Sequence, residues 1–292
     1  MLPHYLIMNN IIKVLHILWS GQFGGAEKVA KDVALYSTPD SSHHILCFLS
    51  HGFELEQRCV DMGIETYSLK MNSGFSLLKS LMLLKIIKKC KPNFILFHKP
   101  NFASGVLSLF FSRIARVYFE HGADLVSSRP IRDIAFYKLF KSKIAMIFSN
   151  SNFTKTMIIN KAKVKPEKIK VVRIGIDTAA YGKQDSCETL RKELGIKKDD
   201  HVIGIVGRLV EQKGIDDFIR VSELINKRIS NCVFLIVGDG IERTKLKKMA
   251  SECEARILFM GERSDIPQVI SAFSIFLMTS RWEPYGIVVL EA

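Results

Sequence analysis

Short apolar runs alternate with helical segments along most of the chain. Each run has the length of a buried strand and lacks the strict polar alternation of a half-exposed one. A repeated strand–helix–strand order is typical of parallel sheets with helices packed on their faces. The sequence therefore predicts an α/β fold of doubly wound parallel sheets, with strands at residues 13–18, 44–49, 65–69, 94–97, 145–149, 201–206, 233–237, 257–260 and 274–278.

The charge distribution divides the chain, and a length of 292 residues suggests two domains. Residues 1–177 hold 25 lysines and arginines against 12 aspartates and glutamates, whereas residues 178–292 hold 17 of each class. The net charge of +13 thus lies entirely in the first part. We expect an N-terminal domain at 1–177 and a C-terminal domain at 178–292. The basic domain would attract nucleic acid, anionic lipid or a phosphorylated acceptor.

Several features bear on the compartment of the protein. The six cysteines are scattered without paired spacing, which argues against zinc sites and disulfide bonds and favours a reducing compartment. Residues 1–10 do not form a convincing signal peptide, and the longest apolar stretch, 102–111, is too short to span a bilayer. We therefore expect a cytoplasmic protein. Basic and aromatic residues interleave in 129–143, a pattern that suits a membrane-contacting segment and an ordinary amphipathic helix equally.

The last twelve residues place two carboxylates around a loop. Glu283 follows the last predicted strand, Pro284 keeps it extended, and Gly286 lets a ligand approach the backbone before a helix begins at Ile287. The first N–H groups of that helix favour an anion. Glu291 lies one turn further on the same side, and carboxylates accept hydrogen bonds from vicinal diols such as those of ribose. A nucleotide sugar, with hydroxyls at both ends and phosphate between them, fits this corner.

A second loop with two cations follows the predicted strand at 201–206. Gly207, Arg208, Lys213 and Gly214 frame the start of a helix that we expect to be capped near Asp216. The loop lacks the Gly-Lys-Ser/Thr of a Walker motif. Two cations and two glycines at a helix start nevertheless suit a diphosphate.

Other glycines and a histidine also follow predicted strands. Gly238 and Gly240 leave room for a base or a ribose, although a plain turn explains them nearly as well. Gly24 and Gly25 stand in a strand-to-helix loop that is not a dinucleotide fingerprint. His121 lies at the carboxyl end of a predicted strand, where ligands bind in open α/β sheets. A lone histidine is more often structural, but this position before a glycine favours function.

Together these segments resemble glycosyltransferase family 4, whose members are retaining enzymes of the GT-B fold with two Rossmann-like domains. The stretch Glu283–Glu291 is similar to the Glu-x7-Glu motif of that family, and the loop 207–214 closely resembles its diphosphate segment. The glycine loop of the first domain and the His-Gly pair resemble family segments as well. The chain departs from the pattern at Ile174, where asparagine is usual, and at Ser274 and Thr279, which replace a common aspartate and proline.

The resemblance implies roles for these residues. Arg208 and Lys213 would neutralise the diphosphate in place of a metal ion, since the chain has no Asp-x-Asp motif, so we expect no metal and no other cofactor. Glu283 would orient hydroxyls of the donor sugar, Glu291 would bind the ribose, and His121 would approach the sugar from the first domain. The other donor-binding residues would be Gly24, Gly25, Gly207, Gly238, Gly240, Arg263, Tyr285, Gly286 and Ile287.

The activity implied by the resemblance is transfer of a hexose from a UDP- or GDP-sugar to a glycan or lipid-linked acceptor in cell-surface polysaccharide synthesis, such as that of lipopolysaccharide. Such acceptors imply reversible contact with the anionic inner face of the membrane. Because the chain stops within the helix of Glu291, we also expect a truncated C-terminal domain with an incomplete sheet. An inactive relic that binds nucleotide only, and a sugar-nucleotide epimerase of the same fold, stay open as alternatives. No nucleic-acid partner is expected, because no known binding motif accompanies the charge.

Overall fold

Two parallel sheets organise the chain, as the alternating pattern predicts. The computed structural model describes residues 11–19, 25–50, 54–71, 77–98, 114–122, 131–181 and 186–292. The chain divides into two units, residues 1–174 and residues 175–292. The domain boundary expected after Asp177 falls just inside the second unit.

Among the residues that the structure describes, the first unit contains a seven-stranded sheet whose neighbouring strands all pair in parallel. Its strands are β1 (Ile12–Leu18), β2 (Ser42–Ser50), β3 (Glu65–Met71), β4 (Phe94–His98), β5 (Ala115–Glu120), β6 (Met146–Ser149) and β7 (Ile169–Val171). The order β3-β2-β1-β4-β5-β6-β7 changes direction between β1 and β4, so the sheet is doubly wound.

Helices connect these strands and cover the sheet. The described helices of this unit are α1 (Gly25–Tyr36), α2 (Glu54–Asp61), α3 (Leu77–Cys90), α4 (Ile131–Phe140) and α5 (Asn152–Ala162). Ser151 caps α5, since its hydroxyl accepts a hydrogen bond from Thr154 N–H at 3.1 Å. Lys163 closes the same helix in a left-handed conformation.

The aromatic side chains of α4 belong to the core of the first unit. Phe136 and Tyr137 are fully buried, Phe140 is nearly so, and the ring of Phe136 lies 5.1 Å from that of Tyr118 between centroids. Segment 129–143 was compatible with a membrane-contacting segment and with an ordinary amphipathic helix. The burial of these rings favours the ordinary helix, observed as α4. Aromatic rings that pack inside the protein cannot also enter a membrane surface.

The second unit contains a smaller parallel sheet of four strands among the residues that the structure describes. These are β8 (His201–Val206), β9 (Cys232–Val237), β10 (Ile257–Gly261) and β11 (Ile275–Phe276), in the order β10-β9-β8-β11. The helices are α6 (Ser186–Glu193), α7 (Ile215–Asn226), α8 (Arg243–Ser251), α9 (Ile266–Ser271) and α10 (Ile287–Glu291).

Two expectations for the second unit are wrong. The last predicted strand, 274–278, shortens to β11, and Ile275 and Met278 are 55% and 40% exposed rather than buried. This follows from its place at the edge of the described sheet, where only β8 pairs with it. Helix α7 is not capped near Asp216. It begins after Gly214, which has a φ of 58° and provides no side-chain cap.

None of the helices in the described part of the chain is long and apolar enough to cross a membrane. The apolar stretch singled out at 102–111 lies outside the described residues.

Candidate active site

The loop between β8 and α7 is fixed by hydrogen bonds to the last residue of β9 and to the loop after it. Gly207 N–H donates to the Val237 carbonyl at 2.9 Å, and Leu209 N–H donates to the Asp239 carbonyl at 2.9 Å. Both loops lie at the carboxyl ends of neighbouring parallel strands, the edge at which open α/β sheets bind ligands. The two predicted cations are therefore carried on a backbone that its neighbour holds in place.

Lys213 and Glu283 form an ion pair across the site. Lys213 Nζ lies 2.5 Å from Glu283 Oε2, and the two side chains are 15% and 17% exposed. The lysine stem crosses Gly207, where an added Cβ would lie 3.2 Å from Lys213 Cε. Ser280 Oγ donates a further hydrogen bond to the same carboxylate oxygen at 3.2 Å. The residues predicted to contact the diphosphate and the sugar thus meet at one point and neutralise each other in this structure.

Arg208 differs from Lys213 in having no such partner. Its side chain is exposed, and its guanidinium makes no hydrogen bond or ion pair with any residue that the structure describes. It directly follows Gly207, over which the lysine stem passes, so both cations occupy the loop at the end of β8. An anion could therefore bind Arg208 without first displacing a described protein group.

Arg281 joins the loop after β11 to the loop after β8. Its backbone N–H donates to the Gln212 carbonyl and its Nη1 to the Glu211 carbonyl, each at 2.9 Å. Its Nη2 donates to the carboxylates of Asp216 at 2.7 Å and Asp217 at 3.0 Å. Burial opposes ionisation of Asp216, but the hydrogen bond and charge of Arg281 outweigh it and lower the pKa of that carboxyl. The sequence did not predict that Arg281 binds Asp216 and Asp217, because an acidic pair in the first turn of a helix is common and indicates no particular partner.

Close approach between two backbones explains Gly238 and Gly240. A Cβ on Gly238, whose φ is 124°, would lie 2.1 Å from the Gly207 carbonyl oxygen. A Cβ on Gly240 would lie 2.4 Å from the Leu209 carbonyl oxygen. In the direction of the missing side chains, the neighbouring loop fills the space. Packing therefore requires both glycines whether or not a base or ribose lies nearby.

Gly286 shapes the corner before α10. Its φ is 72°, and an added Cβ would lie 2.9 Å from Glu283 Cγ, so the loop folds back onto that acidic side chain. Glu291 is only 7% exposed, whereas Tyr285 and Ile287 are partly buried. Tyr285 and Glu291 each have an interaction partner within the protein. The two predicted carboxylates therefore differ, with Glu283 in a partly exposed ion pair and Glu291 in the interior.

Arg263, expected beside the nucleotide base, is bound by Asp265. Its Nε donates to Oδ1 at 2.7 Å, and its Nη2 bonds to the other carboxylate oxygen. This forked hydrogen bond raises the pKa of Arg263 and lowers the pKa of Asp265. A contact between this segment and a base would thus come more readily from its backbone than from the engaged guanidinium.

His121 lies directly after β5 in the first unit, and its neighbours hold it firmly. The ring of Phe119 stacks on it at 4.6 Å between centroids, and His98 Nδ1 lies 3.4 Å from His121 Nε2. The Asn150 amide donates to the His121 carbonyl at 3.0 Å, and Gly122 then turns the chain with a φ of 80°. The histidine therefore has a fixed position at the carboxyl edge of the first sheet.

A buried acid beside this turn was not predicted. Glu120 is 2% exposed, and its carboxylate accepts hydrogen bonds from Gly122 N–H and from the Tyr137 hydroxyl, each at 2.8 Å. A glutamate at the end of an apolar strand was the available sequence signal, since buried carboxylates need partners. Glu120 fixes the His-Gly turn to α4.

The structure brings some of the predicted residues together and separates others, and Arg263, Tyr285, Ile287 and Glu291 lie in the second unit. The loops after β8, β9 and β11 bring together Gly207, Arg208, Lys213, Gly238, Gly240, Glu283 and Gly286. His121 and Gly25 belong to the first unit, and Gly24 lies outside the described residues. Within the described ranges, no three or more histidines, cysteines, aspartates or glutamates are grouped so as to hold a metal ion.

Two family models match this chain. The model for Glycosyltransferase Family 4 matches residues 23–180, and the model for Glycosyl transferases group 1 matches residues 186–292. Over 74% of its length, the chain is 30% identical to UDP-Gal:alpha-D-GlcNAc-diphosphoundecaprenol alpha-1,3-galactosyltransferase of Escherichia coli. It is 26% identical, over 62% of its length, to N-acetyl-alpha-D-glucosaminyl L-malate synthase of Bacillus anthracis. The matches span 59% and 47% of these two relatives.

The fold is also that of solved glycosyltransferase structures. Anabaena HepE in complex with UDP and glucose superposes with a TM-score of 0.78 at 24% sequence identity. The superposition covers 96% of this chain and 78% of HepE. This likeness confirms the predicted GT-B architecture of two parallel-sheet domains.

Proposed function

Since the chain belongs to glycosyltransferase family 4, we propose that it transfers a hexose from a UDP- or GDP-sugar to a glycan or lipid-linked acceptor, with retention of anomeric configuration. The Escherichia coli relative is named for a UDP-sugar and a lipid diphosphate, and the HepE structure is a complex with UDP and glucose. Both support a nucleotide-sugar donor. The observation that carries the proposal is the ion pair between Lys213 and Glu283 in the same loops as the exposed Arg208.

The ion pair suits the junction between a sugar and its diphosphate. Nζ of Lys213 and Oε2 of Glu283 lie 2.5 Å apart, so a cation for phosphate and an acceptor for sugar hydroxyls occupy one place. A bound diphosphate would take over the lysine charge and leave Glu283 to accept hydrogen bonds from the hydroxyls. Arg208 would add a second cation with a planar donor fork, which matches phosphate oxygens.

The residues of this loop would act on the charge that develops during transfer. The bond between the anomeric carbon and the diphosphate oxygen breaks, and the anomeric carbon bonds to the acceptor oxygen. Negative charge grows on the departing nucleoside diphosphate, where Arg208 and Lys213 would stabilise it. Attack from the same face retains configuration, and the departing phosphate oxygen accepts the proton of the acceptor hydroxyl. Loss of one preorganised contact of this kind typically costs on the order of 100-fold or more in rate.

The remaining roles are proposed from the resemblance to the family. His121, a residue of the first unit, would contact the donor sugar, and Glu291 would bind the ribose. Glu291 is the least accessible of these residues, because it is 7% exposed and already has a partner. We propose no metal ion, since Arg208 and Lys213 supply the positive charge that a divalent cation would otherwise provide.

The acceptor and the location are proposed from charge. Residues 1–177 carry all of the excess positive charge, which favours an acceptor with phosphate and reversible contact with anionic lipid at the cytoplasmic face of a membrane. Because the rings of Phe136 and Tyr137 are buried in the protein, these two side chains are not available to contact a membrane. Any membrane contact would therefore be electrostatic, without insertion of α4.

The test compares Arg208→Ala and Glu283→Ala with the parent chain in transfer assays that use UDP- and GDP-hexoses. We expect each substitution to reduce transfer by about 100-fold or more, while the circular dichroism spectrum and melting temperature stay close to those of the parent. Arg228→Ala is the matched control, because it removes an exposed arginine of the same unit just beyond the end of α7. Parental turnover by Arg208→Ala or Glu283→Ala would refute these roles.

Calorimetry with UDP and GDP separates the alternatives. Nucleotide binding by the parent without any transfer would support a relic that retains only the donor site. Release of free epimerised nucleotide sugar would support an epimerase of the same fold.

A further inference from the structure

Four histidines form a continuous row across one face of the first sheet. His44 Nδ1 lies 2.8 Å from His16 Nε2, and His16 Nδ1 lies 2.9 Å from His98 Nε2. His98 Nδ1 in turn lies 3.4 Å from His121 Nε2. At the other end, His44 Nε2 lies 3.1 Å from Ser42 Oγ. In this histidine row (His44, His16, His98 and His121) the Nδ1 atom faces the next ring at every step.

Strand register explains how residues so distant in sequence meet. Strands β2, β1, β4 and β5 are neighbours in the sheet. On each neighbouring strand, the next histidine of the row lies two positions after the residue that pairs in register with the histidine before it. Side chains two positions apart on a strand point to the same face of the sheet. The register partners are Val14 for His44, Leu96 for His16 and Phe119 for His98.

The middle of the row is neutral at physiological pH. His16 is fully buried and His98 is 4% exposed. Burial, with a smaller effect of neighbouring histidines, lowers the pKa of His16 to about 3 and that of His98 well below its ordinary value. Burial and the nearby His43 also lower the pKa of His44. The Glu120 carboxylate next to the end of the row is committed to the hydrogen bonds of the turn and of α4.

A neutral imidazole carries one N–H and one bare nitrogen, so the three contacts between the rings admit two fully hydrogen-bonded arrangements. In the first, every Nδ1 donates to the Nε2 of the next ring, and His121 bears its proton on Nδ1. In the second, every Nε2 donates to the Nδ1 of the preceding ring, and Nδ1 of His121 is bare. A ring out of step would set two N–H groups or two bare nitrogens against each other at a buried contact, which forfeits a hydrogen bond.

Ser42 is compatible with both arrangements, because its hydroxyl can donate to or accept from His44 Nε2. One proton that enters at His121 Nδ1, and one that leaves from His44 Nε2, convert the second arrangement into the first. The number of protons in the row is the same before and after. The conversion therefore needs no charged ring in the finished state.

We propose that the histidine row changes tautomer as a unit, and that His16 and His98 are positioning residues which decide whether His121 presents an N–H or a bare nitrogen at Nδ1. The consequence for catalysis rests on the proposed function, because a donor-sugar hydroxyl would meet either a donor or an acceptor. The coupling between the rings is independent of that function.

The test perturbs one end of the row and observes the other. Ser42→Asp places a carboxylate, which accepts but cannot donate, beside His44 Nε2. At about two pH units above the ordinary histidine pKa of about 6.5, the rings are neutral and this substitution favours Nε2–H throughout the row. Tautomers follow from the nitrogen-15 chemical shifts of the imidazoles in the full chain, assigned by single histidine substitutions. Ser41→Asp is the matched control, because the exposed Ser41 hydroxyl donates to the Thr38 carbonyl and not to the row.

We expect Ser42→Asp to shift the His121 nitrogens toward the Nε2–H form, and Ser41→Asp to leave them unchanged. In combination with His16→Phe, the shift should stop at His44. A His121 that does not respond, or that still responds when His16 is replaced, overturns the proposal.

If the double variant fails to fold, the parent chain decides the question alone. Four rings in one tautomer support the row, and rings in mixed tautomers overturn it. No donor or acceptor substrate is present in these measurements, so their outcome is independent of any transfer assay.

Discussion

Mild acid should destabilise the first unit, and His16 should account for a large part of that effect. His16 is fully buried, and its pKa falls from 6.5 to about 3, chiefly through burial and secondarily through His44. In the unfolded chain the same ring takes up a proton below about pH 6.5. The unfolded state therefore binds more protons than the folded state between about pH 6.5 and pH 3, so the free energy of unfolding falls as the pH is lowered through that window.

The magnitude follows from the difference between the two pKa values. One pKa unit corresponds to about 1.4 kcal/mol, so His16 alone should lower the free energy of unfolding by about 2 kcal/mol between pH 7.5 and pH 5. His98 and His44, whose pKa values are also lowered, contribute with the same sign. His16→Phe keeps a ring of similar size and removes the titration, so the drop between the two pH values should shrink by about 2 kcal/mol.

The assay is urea unfolding at both pH values, followed by tryptophan fluorescence. The chain has two tryptophans, and Trp282→Phe leaves Trp19, which directly follows β1, as the reporter of the first unit. That background change is mild, because Trp282 Nε1 has no hydrogen-bond partner among the described residues. His16→Phe also leaves ring nitrogens of His44 and His98 unpaired, which lowers stability at every pH by about 1–3 kcal/mol.

The difference between the two pH values is thus the observable, and not the absolute stability. His43→Gln controls for the loss of a histidine whose side chain is 46% exposed, on the neighbouring strand β2. An equal pH-dependent drop in His16→Phe and in the parent would refute the burial of a neutral ring at this position.

Three further outcomes are expected. Gly238→Ala should lower the free energy of unfolding of the second unit by at least about 2 kcal/mol, because the added Cβ would lie 2.1 Å from the Gly207 carbonyl oxygen. Gly175→Ala, which has open space around it, should change that free energy by less than about 0.5 kcal/mol. Trp282 fluorescence during urea unfolding measures both variants. Tyr137→Phe should cost about 1–3 kcal/mol by removing a donor from the buried Glu120, and a loss below about 0.5 kcal/mol would show that the bond is dispensable. The protein should co-sediment with anionic vesicles and be released by salt, and residues 1–177 alone should retain this binding. Equal binding to neutral vesicles would contradict the electrostatic explanation.

Local pattern in the sequence determined much of the architecture. The apolar runs and glycine-marked loops placed most strands within one or two residues of their observed bounds, because burial and strand length are short-range properties. Arg208, Lys213, Glu283 and Gly286 were each predicted as site residues from their neighbours in the sequence, and their roles stay a prediction. The prediction was weakest for β11, whose apolar residues predicted burial that an edge strand does not receive.

Only the tertiary structure decided which of these residues meet. Lys213 pairs with Glu283, and Arg281 with the acids of α7, because parallel strands bring their carboxyl ends to one edge whatever their separation along the chain. Gly238 proved to be required by the backbone of a neighbouring loop, a contact that its own surroundings in the sequence do not encode. The histidine row depends on the register of four strands, and a shift of one residue in any of them would move its histidine to the other face of the sheet.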